Sequence, residues 1–572
     1  MAEPLCVVVG YFETPFSQHA ELVKSKGVSS PEFRIFQRNH LVVADRPLPY
    51  LDVLNFFLSK SENHPGHSAD DMYHLGEVSN LAALYLTSFL RQRGHNAEFV
   101  GILPAEFHRL KYLLAADEPL VVAITTTFYL TPLPVIELTS LVRRLRPDAT
   151  VVVGGPLIVN LMLDCDQTTL DYVLAQMGAD IYVRESQGES TLEVILNHIR
   201  GKLPLSNVAN CYILESGEYR FTRSRPENNP MDSCSIDWKR FEDWELGESV
   251  QMRTARSCAF KCSFCDYPVR AGSLSLASIA TVEKELLQLA QRGVHNIIFI
   301  DDTFNVPEPR FRDLCEMMIR RDFDFQWFSY FRCSSVKKKT TFDLLAASGC
   351  AGVFLGVESA DDQVLLNMNK RATVDQYRRS IDELHERGIP TFASLITGFP
   401  GETEKSIGRT ISFLNEAAPT FYRAEPYWHN RRAPVAAMAA QFKLEGDGYQ
   451  WKHQSMDVHA ACDSVDRIFN EVRTSLWMPM YMFDFWALPY LLGKGMKLEE
   501  IAAFHRHAGA ALAARSDKRD PTPFINTLSS LCSSLTLRPA RLQRPTGALA
   551  GRARTDASLA NDPQPLECLP LS

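Results

Sequence analysis

Short apolar segments alternate with helical patterns along two long stretches of the chain, and this alternation constrains the fold most strongly. Helical patterns at 80–93 and around 133–145 separate the apolar segments of the first stretch. Strands that alternate with helices form a doubly wound, mostly parallel sheet. The predicted strands of the first stretch lie at 4–12, 97–103, 120–128 and 151–156, with a shorter one near 180.

The second alternation follows a mixed connector and contains six strand–helix units in about 180 residues, which is typical of a partial TIM-type barrel. The predicted strands are 250–256, 296–301, 325–332, 351–357, 391–397 and 419–427. The predicted fold class is therefore α/β, with a Rossmann-like domain, a partial (β/α)6 barrel and a mostly helical C-terminal region. The expected boundaries are 1–204 for the first domain with its N-terminal extension, 205–245 for the connector, 246–428 for the barrel, 429–513 for the helical region and 514–572 for a disordered tail.

Composition narrows the functional classes. The chain has 572 residues, 60 Lys and Arg against 68 Asp and Glu, and a net charge of −8, so no basic excess favours nucleic acid or an anionic membrane as partner. No signal peptide and no uninterrupted apolar stretch of about 20 residues is evident. We therefore expect a cytoplasmic protein with a small-molecule substrate. Thirteen cysteines, an odd number, do not suggest a disulfide scaffold.

Three of these cysteines form a compact motif directly after the first predicted barrel strand. The segment RSCAFKCSFCDYP at 256–268 places Cys258, Cys262 and Cys265 in a C-x3-C-x2-C spacing. Three thiolates can hold three corners of a cubane iron–sulfur cluster and leave one iron open for a substrate. A structural zinc site would need a fourth ligand nearby, and none is obvious. These cysteines are the predicted metal-binding and catalytic residues.

Ligands on parallel sheets bind outside the carboxyl ends of the strands. In the first stretch this rule selects the loop Thr125, Thr126 and Thr127 and the turn Gly154 and Gly155. Both groups lie at the carboxyl ends of predicted strands, so they are the candidate binding residues of the N-terminal domain.

The cysteine spacing on this fold resembles the radical S-adenosylmethionine (SAM) superfamily. The resemblance implies that Cys258, Cys262 and Cys265 hold a [4Fe-4S] cluster that binds SAM, and that Phe264 lies beside the adenine. Asp302 belongs to IDDTFN at 300–305, which stands where the family usually has a Gly-Gly-Glu element for the SAM amino group. This departure leaves the contact made by Asp302 open.

Three further strand ends match the order of the family's motifs. Arg332 closes the third strand, where it is expected to face the SAM carboxylate or to pair with Glu358, with an ordinary surface ion pair as the alternative. Glu358 and Ser359 resemble the element that contacts the ribose. Gly398, in TGFPGET at 397–403, resembles the motif that packs under the adenine.

The N-terminal half resembles, over roughly 75–200, the cobalamin-binding domain that precedes the barrel in one class of these enzymes. The resemblance implies that the Thr125–Thr127 loop and the Gly154–Gly155 turn accept the nucleotide tail of cobalamin. No D-x-H-x-x-G motif is present, so no lower cobalt ligand is implied. His74, in DMYHLG at 71–76, is a near miss, and a loop or capping histidine is the alternative. An ordinary Rossmann-like support remains the alternative for the whole domain.

The resemblance as a whole implies a cobalamin-dependent radical SAM methyltransferase. In this class the reduced cluster cleaves SAM to a 5′-deoxyadenosyl radical, which takes a hydrogen from an unactivated carbon or a phosphinate P–H, and methylcobalamin supplies the methyl group. A reducing partner such as flavodoxin or ferredoxin is implied. A ring-closing or rearrangement enzyme with the same cofactors, and a non-catalytic iron–sulfur or cobalamin sensor, remain as alternatives.

Loosely matched segments resemble a subgroup related to phosphinate P-methyltransferases. They are GYFETPF at 10–16, LDVLNFF at 51–57 and WKHQSMD at 451–457. Trp451, His453 and Asp457 are accordingly candidate substrate-side residues, with packing in the core as the alternative. A tRNA methylthiotransferase is disfavoured because the N-terminal half has no second cysteine triad.

Overall fold

Two seven-stranded sheets form the framework of the residues that this computed structural model describes, namely 5–12, 15–61, 73–479 and 486–538. The strands of the N-terminal part are β1 (Leu5–Tyr11), β2 (Leu41–Val43), β3 (Arg46–Leu48), β4 (Ala97–Ile102), β5 (Leu120–Thr125), β6 (Thr150–Gly154), β7 (Ile181–Val183), β8 (Cys211–Glu215) and β9 (Glu218–Phe221). Its helices are α1 (Phe16–Ser25), α2 (Pro31–Gln37), α3 (Tyr50–Leu58), α4 (Leu81–Gln92), α5 (Leu103–Leu114), α6 (Leu133–Leu145), α7 (Pro156–Asp164), α8 (Gln167–Met177) and α9 (Glu189–Ile199).

The first sheet has the strand order β4-β1-β5-β6-β7-β8-β9. The five strands from β4 to β7 are parallel, and β8 and β9 are added antiparallel. The predicted doubly wound sheet is therefore confirmed. The segment expected to be a connector instead supplies the hairpin β8–β9, whose turn residues Ser216 and Gly217 both have positive φ, as a tight two-residue hairpin requires.

The second sheet is the partial barrel. The strands that follow are β10 (Ser249–Met252), β11 (Ala255–Arg256), β12 (Ser275–Leu276), β13 (Asn296–Phe299), β14 (Gln326–Phe331), β15 (Cys350–Glu358), β16 (Thr391–Thr397), β17 (Phe421–Pro426), β18 (Lys452–His453), β19 (Met456–Asp457) and β20 (Leu476–Trp477). The barrel order is β10-β13-β14-β15-β16-β17-β20, and every neighbouring pair is parallel. The six predicted strands are present, and β20 adds a seventh of two residues.

Helices cover the outside of this barrel and form the C-terminal region. They are α10 (Asp243–Leu246), α11 (Tyr267–Ala271), α12 (Ile279–Gln291), α13 (Glu308–Arg321), α14 (Lys339–Ala347), α15 (Asp362–Asn367), α16 (Val374–His385), α17 (Glu404–Ala417), α18 (Ala439–Phe442), α19 (Val458–Glu471), α20 (Ala487–Gly493), α21 (Leu498–Ser516) and α22 (Thr522–Ser534). Among the described helices, none is both long and apolar enough to cross a lipid bilayer.

The chain stays ordered beyond residue 514, where the sequence analysis expected a disordered tail. Helix α22 follows α21 and buries Leu528 and Cys532 completely. Phe524, Ile525 and Leu531 pack beside them with the spacing of one helical face. Serine and threonine on the opposite face mask this period in the composition of the segment. Residues 539–572 of the expected tail lie outside the described residues.

The carboxyl ends of the two sheets lie next to each other. Helix α7 begins directly after the Gly154–Gly155 turn of the N-terminal sheet, and α11 begins shortly after the cysteine motif. Arg270 of α11 donates a hydrogen bond to the Asn160 side chain of α7 at 3.0 Å. Arg432 forms an ion pair with Asp164 at the end of α7. These contacts fix the two candidate binding edges against each other.

Candidate active site at the barrel mouth

The cysteine motif forms a loop across the mouth of the barrel, and the backbone holds it from two sides. The Ser263 amide donates to the Met368 carbonyl at 2.8 Å, and the Ser263 carbonyl accepts from the Val435 amide at 2.8 Å. The Asn369 side chain donates to the Lys261 carbonyl at 2.7 Å. The loop is therefore anchored to residues after the fourth and sixth strands of the barrel, which the motif itself did not predict.

The three thiols of this loop differ in exposure and have polar neighbours. Cys262 is buried, whereas Cys258 and Cys265 are half-buried. The Cys258 Sγ lies 3.8 Å from the Thr303 hydroxyl. Burial raises the pKa of the Cys265 thiol to about 11. A neutral thiol is thus favoured at Cys265 until a cationic centre stabilises the thiolate.

The three thiols are ligands of the type that an iron–sulfur cluster requires, although their sulfur atoms do not converge on one point. Among the described residues, no group of three or more His, Cys, Asp and Glu side chains has the arrangement of a metal site. A cluster would have to draw the three thiols of Cys258, Cys262 and Cys265 toward one point. No disulfide competes for them, because all three are free. Three loop thiols without a fourth protein ligand match a cluster with one open iron better than a closed zinc site.

Arg332 lies buried at the end of the third strand with unused hydrogen-bonding capacity. Its guanidinium stacks over the Phe260 ring at 3.5 Å, and Nη1 lies 3.9 Å from the Cys262 Sγ. Among the described residues Arg332 has no ion pair, and its buried Nη2 has no hydrogen-bond partner. Of the alternatives raised by the sequence, the structure therefore removes the surface ion pair and leaves a buried cation beside the thiols that could accept a carboxylate.

Glu358 is held in place by a partner that the sequence analysis missed. Its Oε1 accepts from the Lys370 ammonium at 2.8 Å, and both side chains are largely buried. The backbone of Glu358 has φ +63°, which is uncommon for a residue with a side chain and is often found at functional sites. The following Ser359 is buried as well. Glu358 is thus fixed at the strand end, where the resemblance places the ribose.

Replacing Glu358 by glutamine is expected to weaken SAM binding by about tenfold to a hundredfold. The reason is that hydrogen bonds between ribose hydroxyls and a carboxylate are worth about 1.5–3 kcal/mol, and a neutral amide makes weaker ones. Equilibrium dialysis of SAM against the reconstituted protein measures the dissociation constant. Glu383→Gln is the matched control, because Glu383 is also ion-paired but lies on the outer helix α16. An unchanged constant for Glu358→Gln would remove the ribose role.

Gly398 forms a turn that has no room for a side chain. Its φ is +90°, and a Cβ there would lie 2.7 Å from the Trp451 ring. The Gly398 amide donates to the Glu402 carboxylate, and its carbonyl accepts from His453 Nε2 at 3.0 Å. Burial raises the pKa of the Glu402 carboxyl to about 8. Glu402 therefore braces this turn, in addition to any role at the start of the next helix.

Trp451, His453 and Asp457 support this turn and its neighbourhood. The Trp451 ring stacks on His453 with 5.2 Å between the ring centroids and is 2% exposed. Asp457 caps α19 by accepting from the Ala460 amide at 2.9 Å. These contacts agree with the packing alternative for Trp451 and His453, which act on the site through Gly398, whereas Asp457 is exposed.

Phe264 and Asp302 lie where the motif order predicts. Phe264 packs at the mouth, 6.4 Å from the Phe399 ring and 5.6 Å from the Lys370 ammonium. Asp302 lies in the loop after β13 and is exposed. Its neighbour Asp301 is buried instead and accepts hydrogen bonds from the backbone amides of Thr254 and Ala255. The pair thus divides into one residue that fixes the strand end and one that is available to a ligand.

The threonine loop and the glycine turn of the N-terminal sheet lie side by side. The buried Thr126 hydroxyl donates to the Gly154 carbonyl at 2.9 Å and accepts from the Leu157 amide at 3.2 Å. Thr126 therefore braces the turn, a role that the sequence did not reveal. The Thr125 and Thr127 hydroxyls lie 2.9 Å apart, and Thr127 is exposed.

The glycine turn forms a cradle without side chains at this edge. Gly155 has φ +109°, and a Cβ there would lie 2.8 Å from the Thr126 hydroxyl oxygen. At Gly154 the nearest contact of a Cβ would be Val183 at 3.3 Å. Phe128 and Leu130 beside the loop are 49% and 94% exposed. A cradle without side chains, flanked by exposed apolar residues and the exposed Thr127, fits the tail and ring of cobalamin.

His74 caps a short turn. Its Nδ1 accepts from the Gly76 amide at 2.9 Å, and its backbone amide donates to the Tyr490 hydroxyl at 3.1 Å. This arrangement agrees with the capping alternative. Residues 71 and 72 of the near-miss motif lie outside the described residues.

A family model described as the radical SAM superfamily matches residues 252–414. This range begins at the end of β10, includes the three cysteines and ends within α17. The presence of a radical SAM domain, predicted from the cysteine motif and the strand ends, is therefore confirmed.

Known proteins resemble larger parts of the chain. The radical SAM methyltransferase TsrM from Kitasatospora setae, solved with cobalamin and a [4Fe-4S] cluster bound, superposes with a TM-score of 0.58 at 15% identity, covering 93% of this chain and 100% of that chain. An uncharacterised methyltransferase of Pyrococcus horikoshii is 24% identical over 346 residues, which are 59% of this chain and 73% of the relative. An anaerobic magnesium-protoporphyrin IX monomethyl ester cyclase of Rubrivivax gelatinosus is 27% identical over 223 residues, or 36% of this chain and 39% of the relative.

The superposition on TsrM extends over almost the whole chain and confirms the predicted architecture of an N-terminal Rossmann-like domain, a partial barrel and a helical C-terminal region. The chain spans about three quarters of the length of the Pyrococcus relative and well under half of the cyclase.

Proposed function

Because the chain contains a radical SAM domain, we propose that it is a cobalamin-dependent radical SAM methyltransferase. The proposed acceptor is an unactivated carbon or a phosphinate phosphorus of a small biosynthetic intermediate. The observation that carries the proposal is the contact between α7, after the glycine turn, and α11, after the cysteine loop, through Asn160 and Arg270. One chain thereby sets a site suited to a cluster beside a cradle suited to cobalamin.

The residues of the chain have distinct roles in this proposal. Cys258, Cys262 and Cys265 hold the cluster, and Arg332 and Asp302 bind the carboxylate and ammonium of SAM. The remaining SAM contacts come from Phe264, Glu358, Ser359 and Gly398. The contacts to cobalamin come from Thr125, Thr127, Gly154 and Gly155, and the buried Thr126 holds this turn in place. When bound, the cluster would supply an electron to SAM, and cobalamin would carry the methyl group that is transferred.

The barrel mouth positions reactants and limits access of water. The Phe399 ring lies 6.4 Å from the Phe264 ring and 5.2 Å from the Tyr427 ring. These three rings form an aromatic wall along one side of the mouth. The Arg332 guanidinium, whose Nη2 has no hydrogen-bond partner in the described part of the chain, gives a carboxylate one fixed point. A reactive radical survives only in a closed, dry and well-ordered site, which such walls favour.

Methyl transfer is favoured over ring closure by the extent of similarity. The methyltransferase of Pyrococcus horikoshii matches 59% of the chain, whereas the cyclase of Rubrivivax gelatinosus matches 36%. The TsrM structure, which is that of a methyltransferase, covers 93% of the chain. These likenesses support methyl transfer as the reaction type.

The mass of the product tests the proposal. The anaerobically reconstituted protein, with SAM, cobalamin and a chemical reductant, is expected to add one CH2 unit to the mass of an acceptor in extracts of the producing cells. Ring closure would produce no such gain. A sensor without turnover would form no 5′-deoxyadenosine from SAM under the same conditions, and that result would overturn the proposal.

The proposal includes an electron donor and a compartment. A reducing partner such as flavodoxin or ferredoxin supplies the electron, and the protein works in the cytoplasm with no nucleic acid or membrane partner. The net charge of −8 supports the last part, because it offers no excess of positive charge to a polyanion.

A further inference from the structure

Strand β17 projects two opposite charges into the interior of the barrel. Burial alternates along the strand, with Tyr422 and Ala424 buried and Arg423 and Glu425 partly exposed. The Tyr422 ring lies 5.5 Å from Trp477, which contacts Phe469 of the outer helix α19. Successive side chains of a strand point to opposite faces, so Arg423 and Glu425 face the interior.

The register of the sheet gives the same orientation. Arg423 pairs with Ser394 of β16, and Glu425 pairs with Ile396. In a parallel sheet, paired residues share a face, and both partners on β16 are partly exposed positions in an otherwise buried strand. The Arg423 guanidinium lies 5.5 Å from the Phe392 ring on the same side.

Neither charge is satisfied within the described part of the chain. Arg423 Nε and Glu425 Oε1 are buried without a hydrogen-bond partner, and neither side chain forms an ion pair among the described residues. Burial raises the pKa of the Glu425 carboxyl to about 7, and the charge of Arg423 opposes this shift. By contrast, Glu358 is paired with Lys370. A buried polar group without a partner costs about 1–3 kcal/mol, so the geometry favours a ligand that satisfies both groups.

These two residues are separate from those assigned to SAM. Arg332 and the cysteine loop follow the third and first strands of the barrel, whereas β17 is the sixth. Aromatic rings line the interior between them: Tyr330 lies 4.8 Å from Phe354, and Phe354 lies 4.8 Å from Phe392. In the described part of the chain, aromatic rings therefore adjoin the face of the sheet that carries Arg423 and Glu425.

We infer that Arg423 and Glu425 bind the methyl acceptor, and that this acceptor is a small zwitterion with an apolar or aromatic body, an amino acid or a close derivative. Its acid group pairs with Arg423 and its ammonium group with Glu425. A purely anionic ligand would leave Glu425 unpaired and repelled, and a purely cationic ligand would do the same to Arg423. This inference rests on the proposed function and names the substrate class of the same site.

The test uses three pools of probes on the reconstituted holoenzyme with SAM bound. The first contains the apolar and aromatic proteinogenic amino acids, the second their N-acetyl derivatives and the third their amides. Saturation-transfer NMR is expected to show binding of the free amino acids at least tenfold tighter than of either blocked pool. In Arg423→Gln the preference for the free acid over the amide is expected to disappear. In Glu425→Gln the preference for the free amine over the N-acetyl form is expected to disappear.

Matched controls separate specificity from folding. Arg431→Gln and Glu445→Gln make the same chemical changes at exposed ion pairs and are expected to keep both preferences. Equal binding of the three pools to the unaltered protein, no binding of any pool, or unchanged preferences in the two variants would overturn the inference. Formation of 5′-deoxyadenosine in the same samples reports separately on the proposed function, so the two failures are distinguishable.

Discussion

Replacing Cys258, Cys262 and Cys265 together with alanine is expected to abolish both the iron–sulfur absorbance and SAM cleavage, while cobalamin stays bound. The three thiols are the only protein ligands that the proposed cluster has, so removing them leaves no attachment. The proposed cobalamin contacts come from the N-terminal sheet, whose strands and core do not include these cysteines. Iron, sulfide and cobalamin content per chain, with 5′-deoxyadenosine formation, measure the effect.

Cys165→Ala is the matched control for the cysteine variant. Cys165 is also half-buried and free, but it lies at the end of α7 in the N-terminal part. It is expected to keep the cluster, the activity and cobalamin. An unaltered protein that holds one zinc, shows no colour and contains no sulfide would contradict the cluster assignment. Retention of the cluster in the triple alanine variant would contradict it equally.

Replacing Gly154 by leucine is expected to reduce cobalamin affinity by about tenfold to a hundredfold and to leave the cluster intact. Filling a packed site with additional methylenes costs about 1–3 kcal/mol. A Cβ at Gly154 would already lie 3.3 Å from Val183, so the larger leucine side chain would have to displace this neighbour or fill the space at the turn. The backbone itself is not strained, because no positive φ occurs at this residue. Titration of cobalamin by absorbance measures the affinity.

Gly509→Leu is the matched control for the glycine variant. Gly509 lies in α21, and no atom lies within 4 Å of an added Cβ. The cobalamin affinity of this variant is expected to equal that of the unaltered protein. If Gly154→Leu kept full cobalamin affinity, the glycine turn would not be the binding site. Iron content and thermal unfolding of the same sample show whether the barrel is still folded. Loss of iron together with cobalamin would point to a general defect and contradict separate sites.

The sequence predicted the parallel strands and their succession along the chain, because each strand is a short apolar segment next to a segment with helical periodicity. The strand ends near Cys258, Arg332, Glu358 and Gly398 followed directly from this order. The hairpin β8–β9 and the helix α22 were missed for opposite reasons. The hairpin is rich in charges on its exposed face, and the apolar face of α22 is hidden among serines.

The contacts between distant segments could not be predicted from the sequence. The Lys370 partner of Glu358 and the bracing of Gly398 by His453 depend on how loops cross the barrel mouth. A sequence motif predicts which residue contacts the ligand, but it does not predict which distant residue holds that residue in place. The unpaired state of Arg423 and Glu425 is likewise a property of the packed interior, since the strand pattern shows only that both share one face.

The central claim is that one chain uses a cluster and cobalamin together to move a methyl group from SAM to a small molecule. The most direct measurement is transfer of a deuterated methyl group from labelled SAM to an acceptor, followed by mass spectrometry under anaerobic conditions. The account predicts a labelled product when iron, sulfide, cobalamin and reductant are all present, and none when cobalamin is omitted. A labelled product that forms equally well without cobalamin, or 5′-deoxyadenosine without any labelled product, would contradict it.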